Sequence, residues 1–465
     1  MKKYFCVFCQ NNFCNFVAVH TLLLIRHFEK FYNMKGIKFR LIVMNFLIFA
    51  VWGAYLCSIS IYLDNVELDT KIGSFFAIQG IVSLFMPALM GIVADRWIPA
   101  QKLLGICHLL AAVFMALAGY MGMKYGAAVT FGEIFPYYAI SVAFFMPTIA
   151  LGNSVSYNAL SKAGMDIVKD FPPIRVFGTI GFIASMWIVN FTGYKDSYMQ
   201  LYLSAVWGLL LGIYAFTLPE CPVNKNVQKG SIVDALGLRA FTLFKERKMC
   251  IFFIFSFLLG MCLQVTNGFA TTYLDDFGAS PLYENAFAVK NNVFLSSISQ
   301  ISETLCILLI PFFLRRFGIK KVMFISFMAW FLRFAFLGAG SPVGFGLVLF
   351  ILSMIVYGVA FDFFNISGSL FVDQNTDASI RSSAQGVFMM MTNGFGATIG
   401  AWSAGAIVNT FTKVNVDGIM IDLPVFHELM AGWSKAWYVF AAFALVVGIL
   451  FAILFKYKHN PEEVK

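Results

Sequence analysis

LPECPVNKNVQKGSIVDALGLRAFTLFKERKM, residues 218–249, is the longest polar interruption in an otherwise apolar chain. It carries Pro219, Pro222, Lys225, Lys229, Arg239, Lys245, Arg247 and Lys248, the composition of a solvated linker. Outward from it in both directions run apolar stretches long enough to cross a bilayer, for which about 20 residues suffice. Toward the N-terminus they lie near 40–63, 72–94, 102–123, 135–160, 173–192 and 197–217. Toward the C-terminus they lie near 250–273, 286–314, 320–339, 343–365, 383–409 and 434–456. Six spans stand on each side. The expected organisation is an N-terminal extension (1–33), a six-helix bundle (34–217), the linker (218–249), a second bundle (250–456) and a short tail (457–465).

Composition requires a lipid environment. Of 465 residues, 60% are hydrophobic and 12% charged, with a mean hydropathy of +0.79, whereas a soluble domain carries about 25% charged residues. The net charge of +9 does not point to nucleic acid, because Lys and Arg sit in short connections and form no basic stripe. With both termini inside, the inner segments from Met34 onward hold about 21 Lys and Arg residues, and the outer loops hold only Lys71, Lys124, Lys195, Lys290, Lys413 and Lys435. That asymmetry follows the positive-inside rule and sets the expected topology, with both ends cytoplasmic.

Cysteine usage adds little. Cys57, Cys107, Cys262 and Cys306 lie within apolar runs, where a cysteine acts as a small hydrophobe. Cys6, Cys9 and Cys14 cluster near the N-terminus, but no second pair or histidine follows at zinc spacing, so no metal is expected. In the extension, the run Phe16–Ile25 is broken by His20, the segment 26–30 is charged, and no small-residue cleavage site follows. Met34, with Lys35, Lys38 and Arg40 just before the first long apolar run, is the more natural beginning.

A faint repeat relates the halves. GIVADRWIPAQK (Gly91–Lys102) follows the second span and FFLRRFGIKK (Phe312–Lys321) the eighth, so each half has a basic cluster in a very short inner loop. The plain reading of each is a charged turn that obeys the positive-inside rule. The first also resembles the G-x-x-x-D-R loop of the major facilitator superfamily through Gly91, Asp95 and Arg96. In that loop glycine permits close helix approach and the charges act as a conformational gate. The resemblance implies an all-α membrane protein of twelve transmembrane helices in two pseudo-symmetric six-helix bundles.

Ionisable residues inside spans are costly, at least about 2.5–3.5 kcal/mol at mid-span, so they mark cavities or partners. Arg175, Glu303, Arg333 and Asp362 are the ones to follow. Arg175, Thr179 and Phe182 share a face of the fifth span at i, i+4 and i+7. Gln264 and Asn267 share a face of the seventh, Gln300 and Glu303 of the eighth, and Tyr357 and Phe361 of the tenth, beside Asp362. Amides both donate and accept, a carboxylate accepts from a diol, and aromatic rings stack. A neutral solute with a planar polar ring and hydroxyls suits this inventory, and a sugar would use much the same groups. Duller readings stand beside it. Arg175, after Pro172–Pro173, has the stem to snorkel to the inner interface, and Arg333 reads as a snorkelling anchor near the outer end of the ninth span. The amides of the seventh span could simply join helices. Asp362 stands close to the expected inner boundary of the tenth span, and His108 is expected at an interface.

The runs AGMDIVKDFPPIRVFGTIGF (Ala163–Phe182), SISQISETLCILLIPFFLRRFGIKKVM (Ser297–Met323), YGVAFDFFNISGSLFV (Tyr357–Val372) and SSAQGVFMMMTNGFG (Ser382–Gly396) resemble the nucleoside:proton symporter family. The likeness runs from about Met34 to the C-terminus. It implies a nucleoside site between the halves, at Arg175, Thr179, Phe182, Gln264, Asn267, Gln300, Glu303, Tyr357 and Phe361, with Asp362 where a carboxylate matters for transport. Phe177 stands where a Trp is usual, and Gly268 where a larger residue is usual, changes that would alter pocket volume.

The expected activity is proton-coupled nucleoside import by alternating access, in a bacterial inner membrane, by a monomer. Purine and pyrimidine nucleosides are the expected substrates and Glu303 and Asp362 the candidate proton carriers. The proton is the coupling ion, and no metal or organic cofactor is called for. A sugar or polyol symporter is the alternative. A membrane-embedded enzyme would need a cluster of His, Cys or carboxylates at headgroup level, and the five histidines are scattered. A non-transporting nutrient sensor would carry an extra signalling domain.

Overall fold

The structure, a computed structural model, describes residues 36–221, 238–377 and 381–457. The expected extension, with its three cysteines, and most of the linker lie outside the described residues.

Among the described residues, nine helices are long and apolar enough to cross a membrane on their own. They are apolar nearly all round, as helices bathed in lipid and packed on one another must be. Three further segments account for the rest of the apolar runs. The 48-residue helix Asn292–Ala339 would extend about 72 Å if straight, more than twice the hydrocarbon thickness. It turns at Gly318 (φ 77°, ψ 166°), a backbone conformation that only glycine adopts without strain. The eighth and ninth spans are therefore its two arms. Met199–Ala215, with 17 residues, forms the sixth span. The eleventh comprises Arg381–Met389, the π-helical turn Met390–Gly396 and Ala397–Thr412.

The other spans are Gly36–Gly53, continued past a turn by Ile59–Asn65, then Ile72–Arg96, Ala100–Tyr125, Phe131–Lys162, Ile167–Phe191, Arg247–Asp276, Gly344–Gln374 and Phe426–Leu454. Several outrun their apolar cores, because backbone hydrogen bonding continues a helix into water where hydropathy has stopped. The tenth reaches Gln374 rather than 365, which leaves Asp362 twelve residues short of its end and away from the expected boundary. After the eleventh span, Lys413–Val416 and Ile419–Asp422 form an antiparallel hairpin with Lys413 opposite Asp422. Positive φ at Asp417 and Gly418 gives it the tight turn such hairpins favour.

The two halves meet along two seams, the fifth span on the eighth and the second on the eleventh. At the second seam a Cβ on Gly80 would lie 2.7 Å from the Gly394 carbonyl oxygen, so the helices touch backbone to backbone. Near the linker, ties run within each half. Lys38 pairs with Asp170 at 2.7 Å, Arg40 donates to the Thr217 carbonyl at 3.3 Å, and Lys320 to the Ala452 carbonyl at 2.8 Å.

Polar contacts between the halves lie toward the opposite end. Lys195 pairs with Asp275 at 2.9 Å and donates to Asn292 at 3.3 Å. Asn190 donates to Asn291 at 2.8 Å and Trp187 to Ser297 at 3.0 Å. Lys413 of the hairpin bonds both Asp69 and Asp422. Burial alone would lower its ammonium pKa, but those bonds outweigh it and hold the group above its usual value. Carboxylate oxygens of Asp64, Asp69 and Asp422 lie within 4.8 Å of one another, and Lys413 is the cation among them.

Candidate functional site

The N-terminal wall is set by the fifth helix. Its residues 175, 179 and 182 recur on one face, and the first helix packs against that face. The Arg175 guanidinium lies 3.9 Å over the ring of Phe49, turned into the bundle rather than out to an interface. One turn on stands Thr179, half-buried. Phe182 is buried and meets Trp52 edge-on at 6.1 Å and 88°. Trp52 also touches Phe49 and Phe145, and its Nε1 is buried without a hydrogen-bond partner. Phe49 and Trp52 belong to this wall, and sequence reasoning missed them. An aromatic ring in an apolar run has no polarity to betray it, and the only trace was their i, i+3 spacing.

The C-terminal wall comes from three helices. Gln264 of the seventh is buried, and its Oε1 has no hydrogen-bond partner. Asn267 is half-buried one turn on. Beside it, Gly268 faces the second span's Phe76 at 3.4 Å from an ideal Cβ, so a ring from the other half lies where a larger side chain would reach. Gln300 and Glu303 are half-buried on the eighth helix. On the tenth, Tyr357 and Phe361 stack in parallel, 5.9 Å apart at 2°. Asp362 is 5% exposed, and its Oδ2 is buried with no hydrogen-bond partner. Phe177 is 38% exposed, on the outer side of the fifth helix from Ile174 and Gly178.

One backbone contact sets the helix that carries Glu303 against the helix that carries the rings. A Cβ on Gly358 would lie 2.6 Å from the Ser302 carbonyl and 2.7 Å from the Glu303 nitrogen. The tenth helix thus rests on the eighth where Glu303 leaves it, and the Ser302 hydroxyl bonds the Ile355 carbonyl across the same crossing.

Opposite charges from the two halves stand near one another here, with no ion pair between them among the described residues. Arg175 from one half, and Glu303 and Asp362 from the other, lie close enough to act on each other electrostatically, and both carboxylates act on Tyr357. Six of the sequence-derived residues are therefore linked to this centre or its wall: Arg175, Phe182, Glu303, Tyr357, Phe361 and Asp362. Among the described residues, no direct hydrogen bond ties Thr179, Gln264, Asn267 or Gln300 to another of the set. They stand on the same helices, with Gln264 Oε1 unpartnered.

Other expectations need correction. The Arg333 side chain is 4% exposed and reaches inward, so it is no snorkelling anchor. It donates to the Ser353 carbonyl at 2.8 Å, a partner inside the bundle. His108 is fully buried rather than interfacial, with Nδ1 3.1 Å from the Leu104 carbonyl and its ring edge-on to Phe145. Gly91 and Arg96 end the second helix, away from this centre. A Cβ on Gly91 would meet nothing within 4 Å, so the close approach expected there is not made in this arrangement. The Asp95 side chain lies outside what is described.

Two bundles facing each other across a polar, partly unpartnered centre, clamped at one end, define a solute carrier of the major facilitator fold. Residues 34–460 match the family described as Nucleoside H+ symporter, and the chain belongs to that family. It is 46% identical over 427 residues to the nucleoside permease NupG of Escherichia coli (strain K12), covering 91% of this chain and 97% of that one. It is 45% identical over 433 residues to the xanthosine permease of the same organism, covering 92% and 98%. A crystal structure of a NupG mutant superposes with a TM-score of 0.83 at 45% identity, over 90% of this chain and 100% of that one. A D-xylose-proton symporter shares the fold, with a TM-score of 0.64 at 13% identity, 89% of this chain and 96% of that one. The homologues are permeases, not enzymes.

Proposed function

We propose that the chain imports nucleosides together with protons, by alternating access around the centre between its halves. The observation that carries this is a buried polar atom left unpartnered, Gln264 Oε1, in the same wall as the stacked aromatic pair Tyr357 and Phe361. A buried polar atom without a partner costs about 1–3 kcal/mol. A ligand that supplies donors and a flat ring removes that cost, and a nucleoside does both. Gln264, Asn267 and Gln300 match a base edge, Glu303 accepts from the ribose diol, and Arg175 and Thr179 donate to oxygens. Phe182, Tyr357 and Phe361 offer ring faces. Purine and pyrimidine nucleosides present the same kinds of edge, so both are substrates.

Glu303 or Asp362 takes a proton at the outer side, the nucleoside binds, and the halves rock to release both at the linker side. The nucleoside is neutral, so the proton supplies the electrical work, about 2.3 kcal/mol at 100 mV, which drives roughly fifty-fold accumulation. In this reading the protein acts as a monomer in a bacterial inner membrane with both termini cytoplasmic. The clamped end then faces outward, and the contacts of Lys195 and Lys413 are its closed outer gate. The scheme uses no metal or organic cofactor.

The test is uptake of labelled uridine and adenosine into transporter-deficient cells, with and without a protonophore, for wild type and Glu303→Gln. Protonophore-sensitive uptake of both that falls at least about tenfold in the variant supports the reading. No uptake of either by protein shown to be in the membrane would sink it and favour a sugar or polyol.

A further inference from the structure

Arg333 has no place in the scheme above, yet it is the most buried guanidinium described. It leaves the ninth helix two turns before its end at Ala339 and points into the wedge between the eighth and tenth. There its Nη1 donates to the Ser353 carbonyl at 2.8 Å and to the Ser299 hydroxyl at 3.3 Å. Ser353 returns the contact, donating to the Arg333 carbonyl at 3.0 Å. The guanidinium carbon lies 4.5 Å from the centroid of the Tyr357 ring. Trp330, one turn before Arg333, meets the same ring edge-on at 6.0 Å and 89°. Arg333 Nε remains buried without a hydrogen-bond partner.

A side chain kept only to tie three helices would not need a charge. A neutral amide bonds a carbonyl and a hydroxyl equally well, without the cost of burying a cation. What a guanidinium adds is a flat, charged plane that attracts the face of an aromatic ring. Here that ring is Tyr357, one of the stacked pair. Ser299 and Ser353, the groups that aim the guanidinium, lie respectively one residue before Gln300 and one helical turn before Tyr357.

We propose that Arg333 is a positioning residue of the substrate site: it presses on the face of Tyr357 and so fixes the Tyr357–Phe361 platform on which a planar ring stacks. Its effect on ligand passes through Tyr357. The inference rests on the nucleoside reading and extends it to a residue beyond the nine sequence-derived binding positions.

The experiment is a double-mutant cycle on the purified full-length protein in lipid nanodiscs. Uridine and adenosine binding are measured by calorimetry, and the thermal midpoint of each variant is recorded. The variants are Arg333→Met, Arg333→Lys, Tyr357→Leu and the Arg333→Met/Tyr357→Leu pair. Arg333→Met weakens binding of both nucleosides about tenfold, and Arg333→Lys, which keeps the charge but not the plane, recovers only part of this. In the Tyr357→Leu background Arg333→Met has no further effect on binding. A purely structural arginine would lower the midpoint in both backgrounds alike and show no such coupling. Unchanged binding in Arg333→Met, or an equal loss in both backgrounds, overturns the proposal. Should Met at 333 prevent folding, Arg333→Lys carries the same cycle. A wild type that binds neither nucleoside overturns the substrate reading itself.

Discussion

At the scale of single residues, the centre contains two carboxylates in different settings. Glu303 is half-buried where the eighth and tenth helices touch, and within electrostatic reach of Arg175 across the halves. Asp362 is deeper, with one oxygen unpartnered. The half-buried group next to the opposite half is placed to meet substrate. A carboxylate buried deep within a membrane span is the kind of group that proton relays use. Asp362→Asn is therefore expected to keep nucleoside affinity within about threefold while abolishing accumulation driven by a pH gradient. Calorimetry beside gradient-driven uptake in proteoliposomes checks this, and a loss of affinity with coupling intact would reverse the two roles. Glu303 was legible in the sequence because it interrupts a long apolar run. Arg333 was visible too, but its direction was not, since the same stem reaches a headgroup or a ring and only packing decides. Phe49 and Trp52 were silent because their chemistry is also that of the lipid-facing surface.

Elements behave as rigid parts held at a few close crossings. The tenth helix lies on the eighth through Gly358, whose missing Cβ leaves room for the Ser302–Glu303 backbone. Backbone cannot swing aside as a side chain can. Gly358→Ala is thus expected to cost about 1–3 kcal/mol of stability and to weaken nucleoside binding at least about tenfold by shifting Glu303 against Tyr357. Thermal denaturation and calorimetry on the same preparation measure both. The Lys195–Asp275 pair acts at the other end of the span, 8% exposed on the lysine and bridging the halves. Removing the lysine leaves the half-buried Asp275 carboxylate without its counter-ion. Lys195→Met should accordingly open the clamped end, raising thiol labelling of a cysteine introduced at Ser60, which contacts Thr271 at 3.3 Å. Unchanged labelling would mean that the pair does not hold the gate. Spans were readable from apolar length alone. The hairpin after the eleventh span, which carries Lys413 to Asp69, was not, because its function depends on a partner more than 300 residues away.

For the molecule as a whole, the helical membrane-spanning plan was written in the spacing of apolar runs, since lipid allows a buried backbone few solutions besides the helix. The charge bias that set the expected topology has a second use in the structure. Lys195 and Lys413, counted as sparse outer-loop charges, are the cations that join the halves at that end. Closed at one end by ion pairs and lined at the centre by groups from both halves, the arrangement is one of two that a rocking carrier alternates between. If nucleoside and proton move together, uridine entry must bring protons with it. Proteoliposomes holding the purified protein and a lumenal pH dye, with the membrane potential clamped at zero, are given uridine outside. Prompt acidification of the lumen is expected to follow uridine uptake and to be absent in Asp362→Asn. Uridine uptake by the wild type with no change in lumenal pH would contradict it.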